Sequence, residues 1–167
     1  MRFASKKLIA TAITAALLGV TVTWAQEPAA SPAPGDAARS VAPGEAVPLP
    51  GVQQSASGMS YVTGGIPYEQ IPSFQQARSQ YSLNIEVYEK AGAKNEFTAD
   101  ALVKLFDRSG NVVLDAKTEG PFLWAKVPPG QYKLQTTLNG KMKESRVAIN
   151  SSGSTRAIVV FPQGTEE

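Results

Sequence analysis

The stretch at residues 114–134, L-D-A-K-T-E-G-P-F-L-W-A-K-V-P-P-G-Q-Y-K-L, constrains the fold more than any other part of the chain. It contains two turn signals, Glu119-Gly120-Pro121 and Pro128-Pro129-Gly130, because glycine and proline punctuate regular structure. Between and after these turns stand three aromatic side chains that can seed a core: Phe122, Trp124 and Tyr132. The stretch therefore predicts a strand end, a strand from Phe122 and another strand from Gln131.

The apolar residues after Tyr81 recur with a period of two, which is typical of β-strands. Turn signals between them divide this part of the chain into seven strands: residues 83–87, 101–105, 111–115, 122–127, 131–138, 141–149 and 155–161. Asn139-Gly140 is the strongest hairpin signal, since a type I′ turn needs positive φ at both central residues. The pattern predicts an all-β fold, a seven-stranded transthyretin/Ig-like sandwich. The last strand is apolar on both faces, which favours a place inside a sheet.

The first 25 residues have the features of a secretory signal peptide. Arg2, Lys6 and Lys7 precede an apolar run, and Thr23-Trp24-Ala25 offers small residues at a cleavage site. The apolar run falls short of the roughly 20 residues that span a bilayer, so we expect cleavage and no membrane span afterwards. The leader holds 3 of the 16 Lys and Arg, which leaves 13 against 14 acidic residues in the mature chain. We expect export, most simply to a periplasm.

Residues 26–58 form a predicted disordered linker, because Pro, Ala, Gly and Ser dominate and no aromatic residue is present. Its six prolines favour extended conformations, and it could act as a tether or simply as a tail. Residues 59–80 form a lead-in with a short helix that begins between Tyr68 and Ile71, since Pro72 is tolerated only in the first turn. Residues 81–162 form the sandwich, and residues 163–167 form a C-terminal tail.

Cysteine and histidine are both absent from the chain. Without cysteine there is no thiol catalysis, disulfide or thiolate metal site, and no lipoprotein anchor. Without histidine the commonest general base and zinc ligand is missing. No calcium-loop motif occurs, and no block of basic residues indicates nucleic-acid binding. We therefore predict no metal, no cofactor and no nucleic-acid partner.

Two segments, A-L-V-K-L-F-D-R-S-G-N-V-V and T-E-G-P-F-L-W-A-K-V-P-P-G-Q-Y-K-L, resemble the carboxypeptidase regulatory-like domain, a transthyretin-like sandwich. The leader and the short helix are similar to those of small exported proteobacterial proteins that carry this one domain. Glu119 and Pro121 depart from the usual pattern, which has Asp before the glycine and a freer position after it. The resemblance covers roughly residues 64–162. It implies a fold and carries over no catalytic residue.

The turn glycines and prolines, and the aromatic residues beside them, are predicted to have structural rather than chemical roles. Gly130 should hold positive φ to close its turn, and Tyr132 should bury its ring while its hydroxyl finds a partner. The structural set comprises Gly120, Phe122, Trp124, Pro128, Pro129, Gly130, Tyr132, Asn139 and Gly140. Binding residues and oligomeric state stay open.

We expect a non-catalytic exported module that binds a protein or an envelope component. One alternative is a carbohydrate-binding sandwich that stacks sugars on Trp124, Tyr88 or Tyr68. A less favoured one is a hydrolase that works without histidine, from paired carboxylates or a serine–lysine pair.

Overall fold

The computed structural model describes residues 47–165. The predicted leader (1–25), residues 26–46 of the predicted linker and residues 166–167 lie outside the described range. No helix between residues 47 and 165 has both the length and the apolar character that crossing a membrane requires.

The described chain forms two β-sheets and one short helix. The strands are β1 (Gln53–Gln54), β2 (Ser60–Gly64), β3 (Leu83–Ala91), β4 (Lys94–Phe97), β5 (Leu102–Phe106), β6 (Val112–Lys117), β7 (Phe122–Ala125), β8 (Gly130–Leu138), β9 (Lys141–Ile149) and β10 (Thr155–Phe161). Helix α1 (Ile71–Ala77) has a 3₁₀ turn at each end, Tyr68–Gln70 and Arg78–Gln80. One sheet has the order β1-β2-β7-β3-β10, with β4 also paired to β3, and the other has the order β6-β5-β8-β9.

The predicted all-β sandwich is confirmed, although the described chain has ten strands rather than seven. The three additional strands come from segments that the sequence predicted as irregular. Strand β1 falls inside the predicted linker and β2 inside the lead-in, while β4 lies between the predicted strands 83–87 and 101–105. Strands β1 and β4 have no fully buried residue, and β2 is buried at four consecutive residues, so none of the three shows the alternation of a half-buried strand. They form because a neighbouring strand supplies hydrogen-bond partners.

The main hydrophobic core lies between the two sheets. It is built from alternate residues of facing strands, including Leu83, Ile85, Val87, Val103, Leu105, Leu114, Leu123, Leu134, Val147, Val159 and Phe161. All of these side chains are at most 8% exposed. The predicted inward sets of β3, β5 and β8 are therefore confirmed as core.

A second, smaller core lies on the opposite face of the six-stranded sheet, under α1. The ring of Phe74 lies 5.4 Å from the ring of Phe122 and 5.6 Å from that of Trp124, centroid to centroid. The Trp124 Nε1 donates a hydrogen bond to the Phe74 carbonyl at 2.9 Å. Because α1 covers this face, β7 and the first half of β3 are buried on both sides. The sheet is thus the middle layer of three.

The segment around β1 closes one open side of the sandwich. Strand β1 pairs with β2 in one sheet, and the Ser55 and Ser57 hydroxyls donate to the Val113 carbonyl of β6 in the other sheet. Edge strand β6 is therefore capped by side chains from a region that the sequence predicted as linker. The ordered body of the chain accordingly includes β1.

Strand β10 lies at an edge, so its predicted place inside a sheet is wrong. Within the described part of the chain it pairs with β3 alone, in parallel, along its whole length. Its apolar pattern arises because Ala157, Val159 and Phe161 face the core, while Ile158 on the other face is 50% exposed. A strand with apolar residues on both faces can have one face exposed to solvent or both faces covered. Only the packing of the layers distinguishes these cases.

Candidate binding groove

A concavity at one end of the four-stranded sheet has a volume of about 520 Å³. We call it the groove. It is lined by Phe106, Asp107, Arg108, Gly110, Gln131, Tyr132, Lys133, Arg146, Val147 and Ala148. A shallower hollow adjoins it, and that hollow also contacts Pro129 and Gly130 of the Pro-Pro-Gly turn.

Three neighbouring strands bring these side chains together. In the register of the sheet, Lys133 of β8 stands opposite Phe106 of β5 on one side and Arg146 of β9 on the other. The tight turn after β5 is confirmed by a hydrogen bond from the Gly110 amide to the Asp107 carbonyl, and it projects Arg108 at the same end. The groove therefore extends over β5, β8 and β9, with β8 in the middle.

The charges in the groove are predominantly basic. Lys133 Nζ lies 3.4 Å from Glu144 Oε1. Arg108 and Arg146 are exposed, and neither has an ion pair among residues 47–165. The two guanidinium groups are left to attract an anion, since exposed arginines bind carboxylates and phosphates in a bidentate manner.

The single carboxylate in the lining, Asp107, already has partners. It accepts hydrogen bonds from the Asn111 side chain at 3.0 Å and from the Asn111 amide at 2.9 Å. These bonds hold the pKa of Asp107 below its ordinary value. Asp107 thus stays ionised and serves its own turn, a common role for aspartate at that position.

Two aromatic rings form apolar parts of the lining. The Lys133 ammonium lies 4.6 Å from the centroid of the Phe106 ring, in a cation–π contact that fixes both side chains. The Tyr132 ring is half-buried against the main core, and its hydroxyl donates to the Pro128 carbonyl at 2.9 Å. The predicted hydrogen-bond partner of the Tyr132 hydroxyl is confirmed. The Tyr132 ring lies at the border of the main core and also lines the groove.

Gly130 does not have the positive φ that the sequence predicted. It begins β8 and pairs with Ile149, and it is not among the glycines in the left-handed region. A Cβ on Gly130 would lie 3.3 Å from Tyr132 Cε2. The glycine therefore leaves room for the Tyr132 ring to fold back over the turn and reach Pro128. The reason for glycine here is space rather than backbone conformation.

The residues of the predicted structural set outside the Pro-Pro-Gly turn and Tyr132 lie away from the groove. Phe122 and Trp124 are buried under α1, so Trp124 is not a sugar platform. Asn139 and Gly140 have φ of 41° and 78° and form the predicted two-residue hairpin between β8 and β9. Gly120 is packed against the backbone of Gly64. Among the alternative sugar-stacking residues, Tyr88 stacks on Phe97 at 5.0 Å between centroids, and Tyr68 is 68% exposed.

The sequence did not single out Arg108, Lys133 or Arg146. These three cations are separated from one another by 25 and 13 positions in the chain. These residues come together only through the pairing register of their strands, and that register cannot be predicted until the order of the strands is known. The usable signal was the Asn139-Gly140 hairpin, which fixes β8 against β9 and so places Lys133 beside Arg146.

A second polar cluster lies on the other sheet, at the end of α1, and its chemistry is structural. The Glu86 carboxylate is 6% exposed and accepts hydrogen bonds from Arg156 Nε at 2.7 Å, Arg156 Nη2 at 2.5 Å and the Tyr88 hydroxyl at 2.9 Å. Burial pushes the pKa of Glu86 upward, but the hydrogen bonds from Arg156 and Tyr88 outweigh it and hold the pKa below the ordinary value. The cluster attaches β10 to β3.

No protein-family model and no curated protein matches the sequence. The likeness to carboxypeptidase regulatory-like domains therefore stays a prediction from the residues themselves. Within residues 47–165, no group of three acidic side chains comes together as a candidate metal site.

Proposed function

We propose that the protein is a non-catalytic, exported binding module, and that its groove holds an anionic segment of a partner protein. The observation that carries the proposal is the pair of exposed, unpaired guanidinium groups, Arg108 and Arg146, in a groove that the half-buried Phe106 and Tyr132 rings also line. Such a surface offers charge for acidic side chains and apolar area for the residues between them.

The lining of the groove supports binding better than catalysis. General acid–base hydrolysis of a glycoside needs two carboxylates, and a serine nucleophile without histidine needs a lysine base. The lining contains one carboxylate, Asp107, which is held by Asn111. It contains Lys133 but no serine, and Lys133 is engaged with Glu144 and Phe106.

A salt-sensitive binding assay tests the groove. The probe is a fluorescent octapeptide of alternating Glu and Val, and the readout is fluorescence anisotropy. We expect binding that weakens as salt rises, because exposed charges are screened within about 10 Å at 0.1 M. We expect Arg108→Gln and Arg146→Gln each to weaken binding roughly fivefold or more, as lost charged hydrogen bonds do.

The matched control for these variants is Lys104→Gln. Lys104 is a half-exposed cation on β5 that lies outside the groove and is paired with Asp115 at 3.2 Å. If it weakened binding as much as the two arginine variants, net charge rather than the groove would explain the affinity. A soluble polygalacturonate arm tests the envelope alternative: tighter binding of that anionic polysaccharide than of the peptide would favour a polysaccharide ligand.

Export is the second part of the proposal, and it is supported by the basic start, the apolar run and Thr23-Trp24-Ala25. We expect N-terminal sequencing of the protein from the exported fraction to begin near Gln26. Recovery of a chain with intact Met1 in a membrane pellet would instead indicate an uncleaved anchor.

A further inference from the structure

We propose that the free edge of β9 binds the partner's acidic segment as an added β-strand, and this proposal rests on the function proposed for the groove. Strand β9 ends the four-stranded sheet, and among residues 47–165 it pairs only with β8. Its nine residues contain no proline, and its pairing with β8 runs without interruption. An edge of this kind is a template for another strand.

The hairpin decides which backbone groups of β9 are free. In a two-residue hairpin the flanking residues, here Leu138 and Lys141, exchange hydrogen bonds, and alternate residues beyond them do the same. The N–H and C=O groups of Met142, Glu144, Arg146 and Ala148 therefore point away from β8. A contact in the structure agrees with this assignment, because the Ala148 carbonyl accepts a hydrogen bond from the Thr155 hydroxyl at 2.9 Å.

The free part of this edge is limited at both ends by contacts to the chain around β10. At one end Thr155 binds Ala148, and at the other Lys141 Nζ lies 3.4 Å from the Gly164 carbonyl and from Thr165 Oγ1. We call the residues between these contacts, 142–146, the edge window. Every residue of the edge window is exposed, on both faces of the strand. A guest strand of about five residues matches this length.

The charge of the edge selects an acidic guest over a second copy of the same chain. Within the edge window Lys143 and Arg146 are exposed cations, while Glu144 lies 3.4 Å from Lys133. Two copies paired through the edge window would place these cations opposite or diagonal to one another, which is destabilising. Edge lysines are a common protection against self-pairing. Acidic side chains on a guest strand would instead meet Lys143 and Arg146 directly.

The edge window and the groove are continuous through Arg146. Its backbone belongs to the free edge, while its side chain lines the groove together with Val147 and Ala148. A segment that pairs with the edge window therefore delivers its next residues to Arg146 and the groove. Main-chain hydrogen bonds would supply affinity that does not depend on sequence, and the groove would select for charge.

Two peptides of equal charge separate strand addition from simple charge attraction. One alternates Glu and Val, and the other alternates Glu and Pro, which cannot donate the hydrogen bonds of a ladder. We expect the Glu-Val peptide to bind about tenfold more tightly, since several main-chain bonds are at stake.

Two variants of the folded protein sharpen the test. Met142→Pro removes an outward N–H without removing a bond to β8, as proline does at edges, and should abolish the difference between the peptides. Met142→Ala keeps that N–H and should preserve the difference. Amide hydrogen exchange tests the inference on the native protein. The amides of Met142, Glu144 and Arg146 should exchange more slowly when the Glu-Val peptide is bound.

The outcomes distinguish this inference from the function on which it rests. If both peptides bind equally and Arg108→Gln weakens both, the groove proposal stands and strand addition is wrong. If neither peptide binds, both proposals fail. If sedimentation shows a dimer of the free protein that Met142→Pro dissociates, the guest is a second copy, and the acidic partner is wrong.

Discussion

Gly120→Ala is expected to lower the free energy of unfolding by about 3 kcal/mol, the upper end of the range for overpacked sites. A Cβ at Gly120 would lie 2.3 Å from the Gly64 carbonyl oxygen and 2.5 Å from the Gly64 carbonyl carbon. Both contacts are to backbone, so no side chain can rotate away. The strand β2 or the turn before β7 has to move.

The surroundings of Gly120 leave little room for that movement. The Glu119 amide donates to the Thr63 hydroxyl at 3.1 Å, and that hydroxyl donates to the Phe122 carbonyl at 2.9 Å. These bonds and the pairing of Gly64 with Phe122 attach the turn to β2. The same turn thus holds β2 against β7, so the cost of the methyl group spreads into the main sheet.

Urea unfolding followed by tryptophan fluorescence measures the effect. Gly51→Ala is the matched control, because nothing lies within 4 Å of its Cβ position and its φ is not in the left-handed region. We expect the control to change the midpoint little. Equal midpoints for the two variants would mean that the turn at Gly120 can relax away from Gly64 at no cost.

Arg156→Met is expected to destabilise the protein at neutral pH by about 3 kcal/mol, at the low end for breaking a buried ion pair. The Glu86 side chain is 6% exposed, but that of Arg156 is 45% exposed, and solvent weakens the pair accordingly. Without Arg156 the carboxylate keeps the Tyr88 hydrogen bond at 2.9 Å and a distant Arg78 at 3.9 Å. Those two partners do not offset burial of the charge.

The pH dependence of the free energy of unfolding distinguishes loss of the ion pair from loss of packing. In the native protein the pKa of Glu86 is depressed, so its stabilising contribution is present above the unfolded pKa and is lost as pH falls through the folded pKa. In Arg156→Met, burial should raise the folded pKa of Glu86 above its unfolded value. Protonation then stabilises the folded variant as pH falls. The difference in unfolding free energy between the two proteins should therefore shrink in acid.

Urea unfolding at a series of pH values from neutral to acid checks this expectation. Lys104→Met removes a cation from an exposed pair, whose two side chains are 42% and 49% exposed. Surface pairs of this kind contribute about 0–1 kcal/mol, so the control should be nearly neutral at every pH. A constant difference between Arg156→Met and the native protein would show that the loss comes from packing of the arginine stem rather than from the buried charge.

The sequence by itself determined the class of fold and most of the strands that form the main core. Strands β9 and β10 begin and end where alternation and turn residues predicted, and the Asn139-Gly140 hairpin has positive φ at both residues. The 3₁₀ turn at Tyr68 and helix α1 from Ile71 agree with the predicted start of the helix. These features depend on residues within a few positions of each other, so local patterns are enough to reveal them.

Only the tertiary structure decided how those elements meet. Strand β10 is an edge because β3 is its sole partner among the strands described, and β1 exists because β2 supplies its hydrogen bonds. Gly130 is required for space against Tyr132, a contact that its turn motif did not indicate. The groove joins Arg108 and Arg146 across three strands, and its position depends on pairing between segments far apart in the chain. Long-range register is set by burial of whole faces, which no local pattern encodes.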